Sequence, residues 1–330
     1  MSEVNLFRPS SLANIAAAHP LRFFDIGARG GFDPGLWPFA FATEAVGFEP
    51  DPVAFEKLAG APETFWKKTQ ILPVAIGGEN GMRTLHLPAD PQAASLLGPS
   101  ELTGPARTKD HFFKINETLE VETQTMDHVL QGANGMPPEY LKIDIEGAEL
   151  EVLKNSPQTV KHLLAVKVEV AFDHFRAGQP MAADIMSFLE SAGFVLMDFT
   201  GPSYWRTQSN IVHPLMDKAP MYYSRGQLVH GDFLYFRRPE RLAAEEPDSA
   251  VRKMQLGLIA MSFGYFDFAA DVYGDADVQR EARRLGCEKP SDEILTYAKI
   301  YGRIEAKKAF VGRLRGFGPH LRRFANLLFR

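Results

Sequence analysis

The stretch FFDIGARGGF, residues 23–32, places an acidic residue and three glycines directly after an apolar run. An apolar run followed by a glycine-rich segment is typical of a buried strand that turns into a helix beside a ligand. Different ligands at such a turn require different charges next to the glycines. The ligand class therefore depends on Asp25 as much as on the glycines.

Short apolar runs bounded by turn residues recur along the chain, with helical spacing between several of them. The runs are LRFFDIGA, AVGFEP, ILPVAIGG, MRTLHLP, YLKIDIEG, LLAVKVEVAF, FVLMDFTG and GDFLYFRR. Strands that alternate with helices predict a mostly parallel α/β sheet of the doubly wound type.

The composition divides the chain into an N-terminal helical segment (1–20), an α/β domain (21–240) and a helical C-terminal extension (241–330). Residues 88–120, rich in Pro, Ser, Gly and Thr, are predicted to form a long loop over the ligand edge of the sheet. Residues 201–227 hold Trp205, three tyrosines and a histidine, and are either a substrate-recognition insertion or a packed surface loop.

Composition excludes several classes of protein. The 330 residues are 45% hydrophobic, and 36 basic against 41 acidic residues give a net charge of -5, so the chain as a whole shows no nucleic-acid signature. The single Cys287 cannot form an intramolecular disulfide, which suits a cytoplasmic protein. We expect no secretory signal and no membrane span.

The extension begins with two helical patterns, residues 251–264 and 265–274, that predict an αα-hairpin. From Arg303 onward there are eight Lys or Arg and one acidic residue. Apolar residues recur there at steps of four and three, as in a basic amphipathic helix. This tail fits an anionic membrane surface, the hairpin or a second subunit, and Gly316, Gly318 and Pro319 predict a broken helix.

The glycine-rich turn does not match a dinucleotide site. The pattern G-x-G-x-x-G requires glycine at position 29, where the chain has Arg29, and a pyrophosphate disfavours Asp25 at the strand end. S-adenosylmethionine carries a sulfonium and an α-ammonium but no phosphate, so an acidic residue suits it. Glu49 follows Asp25 by 24 positions, the spacing at which an acidic residue meets ribose hydroxyls in such folds. Alternatively, Asp25 is a helix cap and Glu49 a solvated strand end.

The segments FFDIGARGG, AVGFEPDP, PVAIGGENG, VETQTMDHVL and YLKIDIEGAELEVLKN resemble the FkbM family of S-adenosylmethionine-dependent methyltransferases over roughly residues 20–238. The resemblance implies a class I methyltransferase (Rossmann-like) fold with a seven-stranded sheet, and methylation of hydroxyl oxygens. Arg29 departs from the asparagine that members often carry, and Ser95 stands where members tend to have a serine pair. The candidate cofactor-binding residues are Asp25, Gly27, Ala28, Gly30, Glu49, Pro50, Ser95 and Asp144.

The block LKIDIEGAELEVL supplies candidate catalytic residues. In a strand, Asp144 and Glu146 share one face and meet the ligand at its carboxyl end. Two such carboxylates can stabilise a sulfonium, act as a base or hold a divalent cation. His174, just after the next strand, is the other candidate base, unless it only caps or packs locally.

No spacing of histidines or cysteines in the sequence indicates a transition-metal site. An alternative role for the carboxylates Asp144, Glu146 and Glu169 is to hold a magnesium ion. We expect a cytoplasmic enzyme, peripheral to a membrane if the tail binds lipid, that methylates a hydroxyl on a sugar, glycan or secondary metabolite. The alternatives are an NAD(P)-dependent oxidoreductase on a similar fold and a non-catalytic cofactor-binding or interaction protein.

Overall fold

The computed structural model describes residues 3–60, 63–102, 104–132, 135–207, 225–245 and 248–328. The part of the predicted insertion that holds His213, residues 208–224, lies outside this description. The strands are β1 Leu21–Ile26, β2 Thr43–Phe48, β3 Lys68–Leu72, β4 Ala75–Ile76, β5 Gly81–Pro88, β6 Ile115–Gln124, β7 Tyr140–Ile143, β8 Ala165–Ala171, β9 Phe194–Trp205 and β10 Gln227–Arg237. The α-helices are α1 Leu12–Ala18, α2 Pro52–Ala59, α3 Met126–Val129, α4 Glu149–Lys154, α5 Pro157–His162, α6 Ala182–Ser191, α7 Pro239–Glu245, α8 Ser249–Ser262, α9 Phe266–Val272, α10 Ala276–Arg284 and α11 Pro290–Leu328.

Seven strands form the central sheet in the order β3-β2-β1-β7-β8-β10-β9. Its strand pairs are parallel except those of β10, which runs antiparallel to β8 and β9. The predicted doubly wound, seven-stranded sheet is therefore confirmed. The chain winds outward from β1 in one direction and from β7 in the other, so a crevice opens between the ends of β1 and β7.

The register of the sheet divides one of its faces into an apolar and a charged part. A row across four strands is buried in the core and consists of Phe23, Tyr140, Ala165 and Phe236. Two residues further along, the same face carries Asp25, Lys142 and Lys167 side by side. Because strand side chains alternate with a period of two, these charges lie directly above the aromatic core.

The helical extension covers the apolar part of that face. Met254 and Met261 of α8 are fully buried in one core cluster with Phe23 and Tyr140. The ring of Phe263, just after α8, lies 5.5 Å from that of Tyr140. The extension is therefore a layer of the same core, while α4, α5 and α6 contribute to a second core on the opposite face. Helices α8 and α9 form the predicted hairpin, with Gly264 at φ +86° between them.

Two predictions about local structure are wrong. Residues 115–120 belong to β6, which pairs antiparallel with β5 in a second sheet of order β4-β6-β5, so 88–120 is not one long loop. In INETLEVETQ, buried Val121 and Thr123 alternate with exposed polar residues, which is the pattern of a strand with one solvated face. Helix α11 also continues through Gly316, Gly318 and Pro319, where a break was expected.

Within the described ranges, none of the helices is both long and apolar enough to cross a bilayer.

Candidate functional site

A cleft of about 650 Å³ opens at the point where the strand order reverses. The turn after β1, the end of β2, the segment 91–96 and the end of β7 line it, together with Lys167 and Asp232. The predicted cofactor residues that line the cleft are Asp25, Gly27, Gly30, Glu49, Pro50, Ser95 and Asp144. Ala28 is buried beneath them, where it packs close to Gly47.

Gly27 is required by the close approach of two chain segments. Its φ of +87° is unfavourable for side chains of L-residues, and an added Cβ would lie 2.0 Å from the carbonyl oxygen of Asp144. The glycine therefore lets the end of β1 lie directly against the residue that follows β7. This contact fixes the position of Asp144 relative to Asp25.

Asp25 is buried at the base of the cleft, 1% exposed. Its Oδ2 accepts a hydrogen bond of 2.7 Å from the Asp33 amide, whereas Oδ1 has no hydrogen-bond partner among the described residues and lies 3.4 Å from the Lys142 ammonium. Burial raises the pKa of Asp25 to about 6, although the charge of Lys142 opposes that rise. A buried carboxylate whose charge is only partly compensated by its protein partners suits a cationic ligand group.

Glu49 sits on the other side of the cleft and is tied to the start of α2. Its Oε1 accepts a 2.9 Å hydrogen bond from the Asp51 amide, and Asp51 caps the helix through the amide of Val53. Arg29 pairs with Asp51 at 2.5 Å. The unusual arginine of the glycine-rich turn therefore binds the cap of α2, which accounts for its presence there. Burial raises the pKa of Glu49, and Arg29 opposes that rise.

Two lysines of the cleft were missed by the sequence analysis as functional residues. The Lys142 ammonium donates to the Gly27 carbonyl at 3.2 Å and lies 3.5 Å from Asp144. Lys167 lies 2.8 Å from Asp33 and 3.5 Å from Asp232. The available signal was alternation, since Lys142 shares the strand face that leads to Asp144.

The turn after β7 differs from the prediction that Asp144 and Glu146 lie on one strand face. Strand β7 ends at Ile143, and Glu146 adopts a left-handed conformation with φ +63°. The Ser95 hydroxyl donates to the Glu146 carbonyl at 2.8 Å, and the buried Arg176 pairs with the Glu146 carboxylate at 2.9 Å. These contacts hold the turn that follows the strand.

The turn nevertheless gathers three carboxylates. One oxygen each of Asp144, Glu146 and Glu169 lie within 4.8 Å of one another. Burial, partly offset by Arg176, raises the pKa of Glu146 to about 7, and burial with nearby carboxylates raises the pKa of Glu169 well above its usual range. Glu146 and Glu169 already have protein partners, Arg176 and His230, so the predicted magnesium site stays a prediction.

A family model described as the FkbM methyltransferase domain matches residues 25–196, just over half of the chain. The chain belongs to the FkbM methyltransferase family. The match runs from the end of β1 to the start of β9 and includes the lining of the cleft except Asp232. Together with the sheet order it confirms the class I methyltransferase fold.

Solved structures of low similarity were also found. One is a precorrin-6y C5,15-methyltransferase from Geobacter metallireducens, with 11% identity, coverage of 70% of this chain and 87% of that chain, and a TM-score of 0.30. Another is a putative tRNA (m1A22) methyltransferase from Streptococcus pneumoniae, with 8% identity, coverage of 86% and 96%, and a TM-score of 0.29. No curated protein sequence matches the chain.

The FkbM domain of this chain does not bring His174 into the cleft. His174 is exposed beyond the end of β8, next to Asp173, and does not line the cavity. The histidine that the fold does bring to the carboxylates is His230 on β10, whose Nδ1 lies 2.9 Å from Glu169. Sequence spacing gave no signal for it, because the two residues are 61 positions apart.

Proposed function

We propose that this FkbM-family protein is an S-adenosylmethionine-dependent methyltransferase that methylates a hydroxyl oxygen of a sugar, glycan or secondary metabolite. The observation that carries the proposal is the carboxylate of Asp25, buried at the base of the cleft, where the effect of burial outweighs the ion pair with Lys142 and raises its pKa to about 6. A phosphate-bearing dinucleotide would place negative charge against this carboxylate, whereas the α-ammonium of S-adenosylmethionine would complete its interactions.

The cleft residues suggest a division of roles. Asp25 would bind the ammonium, and Glu49 would accept hydrogen bonds from the ribose hydroxyls, because its Oε1 alone is used by the Asp51 amide. Gly27 and Gly30 would let the backbone approach the amino-acid part of the cofactor, with Ser95 holding the neighbouring segment. The cofactor supplies an electrophilic methyl group on sulfur.

Methyl transfer to an oxygen needs in-line placement of the acceptor and removal of its proton. Asp144 lines the cleft, and Glu146 lies beside it, so both remain candidates for contact with the sulfonium or for the base. His174 remains a candidate only if an acceptor reaches beyond the cleft to the exposed end of β8. A non-catalytic, cofactor-binding role would use the same cleft. Measurement of methyl transfer distinguishes the two roles.

Ligand-dependent melting tests the proposal. S-adenosylhomocysteine at a concentration well above its dissociation constant should raise the melting temperature, because a ligand that binds only the folded state stabilises it. NAD should not raise it. Stabilisation by NAD and not by S-adenosylhomocysteine would overturn the proposal in favour of the oxidoreductase.

Turnover is tested with labelled methyl donor and a fractionated extract of the host. Incorporation of label into a low-mass or glycan fraction supports methyl transfer, and the fraction identifies the acceptor class. Binding of S-adenosylhomocysteine without any incorporation would favour the non-catalytic alternative.

A further inference from the structure

One histidine–glutamate pair lies next to two residues of the cleft lining, Asp144 and Asp232, without lining the cleft itself. The Nδ1 of His230 lies 2.9 Å from Oε1 of Glu169, and each side chain is partly buried, 33% and 18% exposed. On β8 and β10, Glu169 stands opposite Asp232, a residue of the cleft lining, and His230 follows on the same face of β10. The sheet therefore sets the position of both side chains, with no loop involved.

The pair lies between the cleft and a cluster of aromatic side chains. On one side, an oxygen of Glu169 is within 4.8 Å of an oxygen of Asp144 at the end of the cleft. On the other, the His230 ring lies edge-on to Trp205, at 5.6 Å between centroids. Trp205 stacks in parallel with Phe112 at 6.0 Å and contacts Phe175 at 5.2 Å.

We infer that His230 is the catalytic base for the acceptor hydroxyl and that Glu169 is its positioning residue. The inference rests on the proposed function and names the proton acceptor within it. Burial and nearby carboxylates raise the pKa of Glu169, whereas a hydrogen bond from Nδ1–H of His230 stabilises its ionised form. An ionised Glu169 that accepts from Nδ1–H leaves the lone pair on Nε2, which has no hydrogen bond among the described residues.

The methyl group is transferred in a single displacement. The hydroxyl oxygen forms a bond to the methyl carbon, the carbon–sulfur bond breaks, and its electron pair stays on sulfur to give S-adenosylhomocysteine. The hydroxyl proton moves to Nε2 of His230, and Glu169 stabilises the imidazolium that results.

The charges around His230 are mostly negative and come from several strands. Asp144, Glu146 and Asp232 surround the pair, while Lys167 is paired with Asp33 and Arg176 with Glu146. The negative groups favour a protonated imidazole after transfer. Burial lowers the pKa of His230 and so favours the neutral base before it.

The tautomer of His230 gives a test that needs neither turnover nor acceptor. In ¹⁵N-histidine spectra of the full chain, with and without S-adenosylhomocysteine, the signals missing from His230→Gln identify this residue. We expect the His230 signals to show a protonated Nδ1 and an unprotonated Nε2. We also expect these two signals to shift in Glu169→Gln. Glu139→Gln is the matched control. Glu139 lies 3.2 Å from Nε2 of His162, near the opposite end of β7. This substitution should therefore leave the His230 signals unchanged.

The kinetic test uses labelled methyl donor with host extract. His230→Ala should lower the rate at saturating donor by roughly 10²–10⁴-fold without weakening S-adenosylhomocysteine binding, and added imidazole should restore part of it. Glu169→Gln should lower the same rate, with partial recovery in Glu169→Asp. His162→Gln is the control variant.

Distinct results would overturn the inference. These are a protonated Nε2 on His230, unchanged rates in His230→Ala, a rate lost in His174→Ala instead, or activity lost with EDTA and regained with Mg²⁺, which would place a cation at Glu169. Failure of S-adenosylhomocysteine to bind the wild type would refute the proposed function instead.

Discussion

Replacing Gly27 by alanine tests whether the contact between β1 and the turn after β7 organises the cofactor site. An alanine at φ +87° pays about 1–2 kcal/mol for the left-handed backbone. Its Cβ would also lie 2.0 Å from the Asp144 carbonyl oxygen, so one of the two segments must move. We expect a total loss of about 3 kcal/mol in the free energy of unfolding, within the range of strain at special backbone positions.

The corresponding change in melting temperature is small for a chain of this size. At roughly 2.1 cal/mol/K per residue, the unfolding entropy of 330 residues is about 0.7 kcal/mol/K, so 3 kcal/mol corresponds to about 4 °C. Urea unfolding and differential scanning calorimetry measure this loss. Titration calorimetry with S-adenosylhomocysteine measures the second expected effect, which is loss of binding because Asp25 and Asp144 separate.

Gly30→Ala is the matched control, since it alters a glycine of the same turn that also lines the cleft. A Cβ at Gly30 meets nothing within 4 Å, and its φ is not in the left-handed region. Its stability should stay within about 0.5 kcal/mol of the wild type. If Gly27→Ala were as stable as Gly30→Ala and bound S-adenosylhomocysteine normally, the reasoning from the β1–β7 contact would be refuted.

Three further predictions concern the cofactor and the tail. Glu49→Gln should weaken S-adenosylhomocysteine binding about 10- to 100-fold, because a hydrogen bond to a charged group contributes about 1.5–3 kcal/mol. The control Glu56→Gln, on the exposed side of α2, should leave binding unchanged. Equal affinities of the two variants would contradict the role of Glu49 in binding the ribose. Below about pH 6 Asp25 binds a proton and loses its charge, so the affinity for S-adenosylmethionine should fall as the pH is lowered through 6. The fall should be smaller in Asp25→Asn. The same pH dependence of affinity in the wild type and the variant would contradict this prediction. The full chain should co-sediment with anionic vesicles and not with neutral ones, and deletion of residues 313–330 should abolish this binding and leave the melting temperature unchanged. Loss of a dimer in gel filtration, with no effect on vesicle binding, would assign the tail to self-association.

The sequence predicted the sheet and the residues that line the cleft because both depend on local patterns. Apolar runs located the strands, Asp25 is the next-to-last residue of β1, and Glu49 directly follows β2. The pairing of β6 with β5 was missed because a strand with one solvated face contains many charged residues, and INETLEVETQ was assigned in part to a loop. His230 was missed for a different reason: its partner Glu169 is set by the register of an antiparallel pair, which spacing along the chain does not show.

The charge balance of the cleft connects these parts. Asp25, Glu146, Glu169 and Asp232 all have a raised pKa, because burial and mutual repulsion exceed what Lys142, Lys167 and Arg176 supply. A group of carboxylates in this condition gains most from a ligand that brings positive charge and no phosphate. S-adenosylmethionine brings both a sulfonium and an ammonium, and the sulfonium charge disappears when the methyl group leaves. Under the proposed function, the same carboxylates would bind the neutral thioether of the product less strongly than the sulfonium of the donor, which would favour product release after transfer.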